Sequence, residues 1–540
     1  SPAAAPQPAP TKRKAAAAPP AAAVAAPREQ LVTVTTPAFR VVFSNRGAVA
    51  HSWVLSKYQD DANQPLDLVD PTFSSKFGYP LAFWTSDSAI SRQLDDALYQ
   101  VKQTASGATQ TITFTWSDGT LAATKTLTFD GGYVPQVRAQ VTRNGAPLPV
   151  ALAWPGGFGD RAMPGDFSTQ SLFQQSGTSV TTIKAKNVHG GAVQQGAMAF
   201  AGLQDQFFAV AILPAAPVGA APPPLTVTDI KNSYEPRLVD ATGHVVTNKP
   251  VDTVGFAVST GDQLDVRLFV GPKQVSLLES VDPALRGLVN FGWFSFIAYP
   301  LFLWMNWTYV HWIPNYGWAI LFLTFVITMA GFPLKMKAQK SQAKMMALQP
   351  RINSLNAKMK KYGMRDPRRQ EVQQEIMKVY GEHGVNPLGG CLPMLIILPL
   401  IYAFYDVLEY SIELRHAPWL SYIHDLSAKD PYFVLPVLVM VSTFFSFALM
   451  PTMPGQDPRQ TKMMRWMMPI VTGWFFFYMP AGVNLYYLGY NIVSGGQQWV
   501  ANRTYNDRAA AEVAATEKAR ERESKGKKQV IETKAVTPKR

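Results

Sequence analysis

The sequence of 540 residues contains a single cysteine, Cys391, which excludes an internal disulfide bond. It also lacks a phosphate-binding loop, a nucleophile elbow and a cluster of residues at metal-ligand spacing. We therefore expect no catalytic residue, no metal site and no cofactor, and the sequence gives no support for an enzyme.

Charge is absent from residues 287–334, which contain no Asp, Glu, Lys or Arg. About 20 apolar residues suffice to cross a bilayer, and soluble domains rarely leave such a run uncharged. Further apolar runs follow towards the C-terminus. We predict a helical bundle at residues 315–500 with five transmembrane spans, at 316–334, 388–408, 432–450, 463–480 and 482–500.

The segment before the first span, residues 287–314, is apolar but is interrupted by Pro300 and ends at Pro314. It carries four tryptophans, a density typical of the membrane–water interface: Trp293, Trp304, Trp307 and Trp312. A crossing helix remains an alternative. We favour an interfacial amphipathic helix, because a crossing would place the preceding domain on the same side as the basic segment that follows.

The net charge of +13 is unevenly distributed. Residues 30–286 have 18 basic and 20 acidic side chains, residues 335–386 have 12 and 4, and residues 501–540 have 11 and 6. Positive charge beside apolar runs follows the positive-inside rule. It predicts that 335–386 and the basic tail 501–540 are cytoplasmic and that the domain before them is periplasmic. A nucleic-acid-binding face would not need this alternation, so we expect no direct, specific nucleic-acid recognition.

Residues 1–30 form an Ala/Pro-rich segment that we interpret as a linker. Residues 31–286 instead show strand patterns such as FRVVFS and TKTLTF, with β-branched and apolar residues in alternation. Turn signals separate them, for example at Asn45-Arg46-Gly47 and Asp118-Gly119. Many short strands with frequent turns predict a sandwich of antiparallel sheets.

Residues 335–386 have the pattern of two antiparallel helices. Leu348, Ile352, Leu355 and Met359 are spaced four, three and four apart, and Val372, Ile376 and Val379 are spaced four and three apart. Gly363 and Pro367 lie between the two stripes and predict a break. We expect a helical hairpin whose arms meet along these stripes.

Five stretches, in this order and spacing, resemble the Oxa/YidC/Alb family of insertases, in its bacterial YidC branch. They are FPL at 332–334 with LQP at 348–350, NPLGGCLP at 386–393, ELRHAP at 413–418, HDLS at 424–427, and PAG at 480–482 with LYY at 485–487. VGPK at 270–273 is similar to the end of the periplasmic domain in Gram-negative members. Any one stretch is a weak signal, whereas their order is specific.

The resemblance implies a periplasmic β-supersandwich followed by five spans around a hydrophilic groove that is open to the cytoplasm and the lipid. A family member of this kind is a non-enzymatic membrane chaperone. It guides hydrophobic segments of nascent membrane proteins into the bacterial inner membrane, alone or with components of the Sec translocon. Membrane lipids are further partners. An N-terminal anchor span is expected upstream of this sequence. The basic tail matches either a ribosome-binding role or attraction to anionic lipids.

Polar residues inside membrane spans are candidates for function. Those that would face the groove are Thr324, Thr328, Ser442, Ser446, Asn484, Tyr486 and Tyr487, with Lys335 and Lys337 at its mouth. The alternative for the hydroxyls is a bond to the carbonyl four residues earlier in their own helix. The resemblance places an Arg where this chain has Thr328 and a Gln where it has Ile397. We therefore expect a polar groove that is positive only at its cytoplasmic mouth.

Two rival functions remain open. A transporter or channel would need a through-path and intramembrane charges or repeats at the midplane. A membrane-tethered carbohydrate-active β domain would need a pair of carboxylates in a cleft, and sequence alone does not show whether any such pair converges.

Overall fold

The computed structural model describes residues 22–60, 64–159, 170–177, 179–215, 222–234, 250–363, 365–385, 392–449 and 458–535. Most of the predicted linker and residues 386–391, which carry most of the NPLGGCLP stretch, lie outside this part. The chain divides into two compact units, Ser1–Val289 and Asn290–Arg540.

The first unit is built mainly of β-strands. They are β1 (Leu31–Thr35), β2 (Phe39–Ser44), β3 (Val49–Gln59), β4 (Pro65–Asp67), β5 (Ala82–Trp84), β6 (Gln100–Ser106), β7 (Thr109–Ser117), β8 (Leu121–Phe129), β9 (Gln136–Arg143), β10 (Ala146–Leu148), β11 (Ala151–Trp154), β12 (Ser171–Ser176), β13 (Ser179–Lys184), β14 (Val193–Gly196), β15 (Met198–Gln204), β16 (Phe208–Pro214), β17 (Leu225–Tyr234), β18 (Val251–Ser259) and β19 (Gln263–Pro272). Three short helices accompany them: α1 (Pro71–Phe77), α2 (Ser88–Asp96) and α3 (Val275–Val281).

These strands form three antiparallel sheets. The largest has the order β13-β12-β15-β16-β19-β9-β8-β7-β6, with β10 on β9; the others are β1-β2-β3-β4 and β14-β17-β18-β11-β5. The predicted turn at Asn45-Arg46-Gly47 joins β2 to β3. At the turn between β7 and β8 the carboxylate of Asp118 accepts the backbone N–H groups of Thr120 and Leu121, both at 2.7 Å. The predicted antiparallel β domain is confirmed.

Aromatic side chains join the layers because they remove large apolar areas from water. Phe39 on β2 contacts Phe129 on β8 with ring centroids 6.0 Å apart, so the four-stranded sheet packs on the largest one. Trp53 on β3 lies 6.5 Å from Trp154 on β11, which connects the four-stranded and five-stranded sheets. All four rings are buried. The core of this unit thus lies between its sheets.

The second unit is helical, as predicted. Its helices are α4 (Ser295–His311), α5 (Tyr316–Ala330), α6 (Phe332–Ala347), α7 (Gln349–Met359), α8 (Pro367–Glu382), α9 (Leu392–Tyr410), α10 (Val434–Leu449), α11 (Pro458–Phe476) and α12 (Ala481–Ala535). The segment predicted to be interfacial forms α4, and the five predicted spans correspond in position to α5, α9, α10, α11 and the first part of α12.

The first predicted span, 316–334, is not one continuous helix. Helix α5 ends at Ala330 rather than continuing to 334, and α6 starts after Gly331 in a new direction. Pro333 causes this break, since proline lacks the N–H that a continuous helix needs and its ring clashes with the preceding turn. In the described part of the chain no single helix is long and apolar enough to cross a membrane, whereas α5 and α6 together, bent by 53°, are.

The predicted helical hairpin forms. The stripes of α7 and α8 meet in one buried cluster, which we call the hairpin core: Met345, Leu348, Ile352, Leu355, Val372, Ile376, Val379, Tyr380, Val385 and Val513, with Met359 packed against it. Its last member lies in α12, far along the chain.

Helix α12 does not end near residue 500, where the last span was predicted to end. It runs through the basic tail to Ala535 and is 55 residues long in total. Its extension contacts the hairpin through Val513 and through two ion pairs, Lys344–Glu512 at 2.6 Å and Arg351–Glu517 at 3.6 Å. The charge pattern of the tail does not predict this helix.

Candidate functional site

A cavity of about 360 Å³ lies in the second unit between α4, α5, α6, α9 and α12. Its walls are mostly apolar, with a line of polar groups along α5, α6 and α12. The described residues that line it are Leu301, Trp304, Thr324, Val326, Ile327, Thr328, Ala330, Gly331, Leu334, Lys335, Leu400, Ile401, Phe404, Tyr486, Tyr490 and Gln497. Four of the predicted site residues are among them: Thr324, Thr328, Lys335 and Tyr486.

Thr324 and Thr328 lie one turn apart on α5, as their spacing predicts. Each hydroxyl donates to the carbonyl four residues earlier: Thr324 Oγ1 to Ile320 at 2.7 Å and Thr328 Oγ1 to Thr324 at 2.6 Å. Both hydroxyl protons are therefore bonded within α5, which is the alternative to client contact given above. Their oxygen lone pairs still make this wall polar.

Lys335 is the only charged group among the described lining residues. It lies in the first turn of α6, and its ammonium donates to the backbone carbonyl of Ser494 at 3.2 Å and to the Ser494 hydroxyl at 2.5 Å. These two bonds hold the cation against α12 beside the cavity. Lys337, two residues further on, is exposed and does not line it.

Tyr486 and Tyr490 face the cavity from α12, one turn apart. The Tyr486 ring is buried and meets the edge of Phe404 on α9 at 4.8 Å. Close approach of α12 to α5 depends on Gly489: a Cβ there would lie 2.8 Å from the Leu321 side chain. Small residues commonly allow such contacts between membrane helices.

The other predicted site residues lie elsewhere. Asn484 is fully buried, and its amide donates to the carbonyls of Phe476, Met479 and Pro480, so it fastens the connection between α11 and α12. Tyr487 packs on Phe476 with ring centroids 4.6 Å apart. The Asn484 amide and the Tyr487 ring thus contact the end of α11 and the residues that follow it, and not the cavity. We expect both residues to stabilise the bundle.

Ser442 and Ser446 on α10 also do not line the cavity. Ser442 accepts a hydrogen bond from the Asn491 amide at 3.1 Å, and Thr443 accepts a second at 3.0 Å. Polar bonds of this kind join helices in an apolar environment. Ser446 is half-buried on the same helix.

Gln497 was missed by the sequence analysis, although it lines the cavity. Its side chain is buried, and its amide nitrogen donates to the backbone carbonyl of Thr328 at 3.0 Å. The signal that could have found it is its position on α12, seven residues after Tyr490, which keeps it on the same helix face. A span assumed to end at residue 500 made it look like a helix terminus.

The outer surface of the second unit is unusually apolar. Trp293 is 94% exposed, and large apolar side chains are also exposed on most of its helices, including Phe296, Trp318, Phe445, Trp474 and Ile492. Soluble monomers rarely expose contiguous apolar patches of more than a few hundred Å². Such a surface is suited to contact with lipid.

Comparisons with known proteins cover both units. Residues 31–304 match the family described as "YidC periplasmic domain", and residues 307–508 match the family described as "60Kd inner membrane protein". The membrane protein insertase YidC of Bordetella parapertussis is 33% identical over 513 residues, which cover 90% of this chain and 85% of that protein. The chain belongs to the YidC family of membrane protein insertases. A YidC-family insertase of Cupriavidus taiwanensis is 44% identical over 260 residues, 48% of this chain and 44% of its own length.

The matches to solved structures are weaker evidence than the sequence relatives. A crystal structure of an active YidC insertase matches 88% of this chain and 93% of its own, with 18% identity and a TM-score of 0.36. A putative aldose 1-epimerase from Escherichia coli matches 45% of this chain at 10% identity and a TM-score of 0.29. Both scores are too low to decide between functions, so membership of the YidC family rests on the sequence relatives.

Proposed function

We propose that the protein is a membrane protein insertase and chaperone of the bacterial inner membrane. The observation that carries the proposal is the 33% identity to an insertase over 90% of the chain. The apolar outer surface of the helical unit supports a place in lipid. Its clients are nascent membrane proteins, and its action involves binding and sliding rather than catalysis.

In the proposed arrangement five helices cross the membrane: α5 with the start of α6, α9, α10, α11 and the first part of α12. The hairpin of α7 and α8 is cytoplasmic, since residues 335–386 carry 12 basic and 4 acidic side chains. The β domain is periplasmic, and α4 lies at the interface. The basic extension of α12 then faces anionic lipid headgroups or the ribosome, and Sec components remain proposed partners.

The cavity in the helical unit is the feature that fits the proposed client groove. A hydrophilic client tail that enters hydrocarbon loses water from its backbone groups, at a cost of several kcal/mol for each group left unsatisfied. Polar groups on α5, α6 and α12 offer hydrogen bonds part-way across, while the apolar walls accept the hydrophobic segment. Thr324, Thr328, Tyr486 and Lys335 are the predicted residues best placed for this role, whereas Asn484, Ser442, Ser446 and Tyr487 stabilise the bundle.

Depletion of a cell's own insertase provides a test. In a Gram-negative strain whose insertase is under a repressible promoter, expression of this chain should restore growth and the membrane insertion of a small single-span client. Restored growth without restored insertion, or neither, would contradict the proposal. A variant lacking residues 392–449 is the matched negative control, because it removes α9 and α10 and with them one wall of the cavity.

A further inference from the structure

We propose that Gln497 is a specificity-determining residue of the groove. Its side-chain carbonyl accepts a hydrogen bond from N–H groups of the client's polar segment as that segment passes the cavity. This inference rests on the proposed insertase function and assigns a client-contacting group that the sequence analysis did not include.

The first observation is the burial and position of this side chain. Gln497 is only 4% exposed and lines the cavity. Its amide nitrogen is bonded to the Thr328 carbonyl at 3.0 Å. Its carbonyl oxygen Oε1 is also buried, and no described residue donates to it. A buried amide oxygen without a donor is costly, about 1–3 kcal/mol, so such groups in native proteins call for an explanation.

The second observation fixes which way the amide faces. Helix α5 ends at Ala330, so carbonyls in its last turn lack the helical N–H four residues further on. The Thr328 carbonyl is one of these, and it can only accept. The Gln497 group that faces it must therefore be the NH₂, which leaves Oε1 as the group that still lacks a donor among the described residues.

The third observation concerns the chemistry beside this oxygen. Lys335, the charged member of the described lining, has its ammonium bonded to Ser494, and both threonine hydroxyls donate within α5. An acceptor oxygen in these surroundings fits a donor on the client. An extended polar segment carries one backbone N–H per residue apart from proline, and each loses its water partner inside the membrane. Gln497 would satisfy one such group at a time as the segment slides.

The experiment uses the full chain in lipid vesicles and two uncharged clients that share one hydrophobic segment. One client has a long Ser/Asn-rich translocated segment, and the other has a translocated segment of only a few residues. Gln497→Leu should slow the long-segment client about fivefold relative to the short-segment one, the effect of one lost hydrogen bond. Gln498→Leu is the matched control, since Gln498 bonds Gln339 and Asn502 instead and should leave the ratio unchanged.

A second variant separates client contact from a purely structural bond to α5. Gln497→Glu keeps acceptor oxygens but cannot donate to the Thr328 carbonyl. If Oε1 contacts the client, this variant should keep the wild-type ratio of the two insertion rates within about twofold. If Gln497 only caps α5, the Glu and Leu variants should change the ratio equally, and the proposal is overturned. Wild-type protein that inserts no better than empty vesicles would instead refute the proposed function itself.

A measurement independent of the Leu variant uses cysteine crosslinking. In a Cys391→Ser background, Gln497→Cys should form a disulfide with a cysteine in the polar segment of an arrested client. Trp499→Cys is the control, because that side chain is 54% exposed on the same helix and does not line the cavity. Crosslinking at 499 but not at 497 would overturn the proposal.

Discussion

At the scale of single residues, the charge beside the cavity comes from Lys335 and not from α5, where the YidC family resemblance places an arginine and this chain has Thr328. A charge at mid-membrane costs at least about 2.5 kcal/mol even on insertion-based scales, and threonine avoids that cost. As a consequence, α5 has no cation that could attract an acidic client. Lys335, held by Ser494 at the start of α6, is the remaining source of attraction in the described lining.

We therefore predict that Lys335→Ala slows insertion of clients with acidic translocated tails by about two- to fivefold, in line with the loss of one partly screened charge interaction. Thr328→Ala should have less effect, because its hydroxyl proton is already bonded within α5. Insertion rates in vesicles for acidic and neutral tails check this. Lys337→Ala, which removes an exposed lysine of the same helix, is the control; equal rates for wild type and Lys335→Ala on the acidic tail would refute the role of Lys335.

In the β domain, Lys125 on β8 is fully buried. Its ammonium donates to the carbonyls of Ala48 at 2.9 Å and Leu81 at 2.5 Å and lies 4.0 Å from the centre of the Phe83 ring. Burial lowers the pKa of Lys125 to about 7, an effect that the negative charge of Asp95 opposes. Burial also raises the pKa of Asp95 to about 7.

These pKa shifts predict how stability depends on pH. Above pH 7 the folded protein has lost the Lys125 proton, while the unfolded chain keeps it up to about pH 10.4. The unfolded state then binds more protons, so this residue makes stability rise with pH, by about 2 kcal/mol between pH 7.5 and 9. Asp95, whose folded pKa is also about 7, is mostly ionised in this window and opposes this slope only slightly, near pH 7.5. Lys273, whose pKa burial lowers to about 8, adds a slope of the same sign.

The measurement is the urea midpoint of the β domain in the full chain, followed by pulse proteolysis at pH 7.5 and 9. The midpoint should rise with pH in the wild type and rise distinctly less in Lys125→Met. Arg138→Met is the control, since Arg138 is an exposed cation on the neighbouring strand β9. An equal rise in Lys125→Met and wild type would show that Lys125 is not the titrating group.

Four of the nine predicted site residues line the cavity. Whether a residue could be placed from the sequence depends on whether its position follows from its own helix or from the path of another one. Thr324 and Thr328 were found because a helix of known direction places residues four apart on one face. Asn484 lies away from the cavity because carbonyls at the end of α11 and just after it accept from its amide. Gln497 was not predicted because its position against the Thr328 carbonyl depends on how α12 packs on α5. Both require the path of a second helix, which a single stretch of sequence does not contain.

At the scale of elements, the contact between the α12 extension and the hairpin combines an apolar and an ionic part of different strengths. Burying the Val513 side chain in the hairpin core contributes about 2 kcal/mol. The Lys344–Glu512 pair is short, at 2.6 Å, but Glu512 is half-exposed, so solvent screens the pair and it contributes less than the apolar contact. The apolar contact should therefore hold the hairpin, with the ion pairs setting the register.

We predict that Val513→Asp releases the extension and lowers the hydrogen-exchange protection of the α7 and α8 amides about tenfold or more. Glu512→Ala should change it less than threefold. Ala514→Asp is the matched control, because residue 514 is exposed on the same helix. Unchanged protection of both helices in Val513→Asp would show that α12 does not support the hairpin.

The elements themselves were largely predictable. Strands such as β2 and β8 follow from alternation and turn residues, and the hairpin follows from its two stripes. The end of α5 and the length of α12 were not. The break depends on how Pro333 reorients a helix whose apolar pattern continues to Leu334. The length of α12 depends on a docking surface made by residues about 130 to 170 positions earlier in the chain.

At the scale of the whole molecule, the unequal distribution of charge predicts the orientation in the membrane. Single cysteines in a Cys391→Ser background test it, with Ser354→Cys in α7 and Ser421→Cys in the loop before α10, both at exposed positions. An impermeant thiol reagent added to intact spheroplasts should label position 421 and leave 354 unlabelled until the membrane is permeabilised. The opposite pattern would invert the proposed topology.

The most direct test of insertase function is a reconstitution of the purified full chain in vesicles with a small single-span client, such as a phage coat protein. We expect a protease-protected client fragment well above the level in empty vesicles, without leakage of a small dye or of ions. Solute leakage without client protection would favour a transporter or channel. Client protection equal to that of empty vesicles would contradict the assignment of insertase activity to this chain.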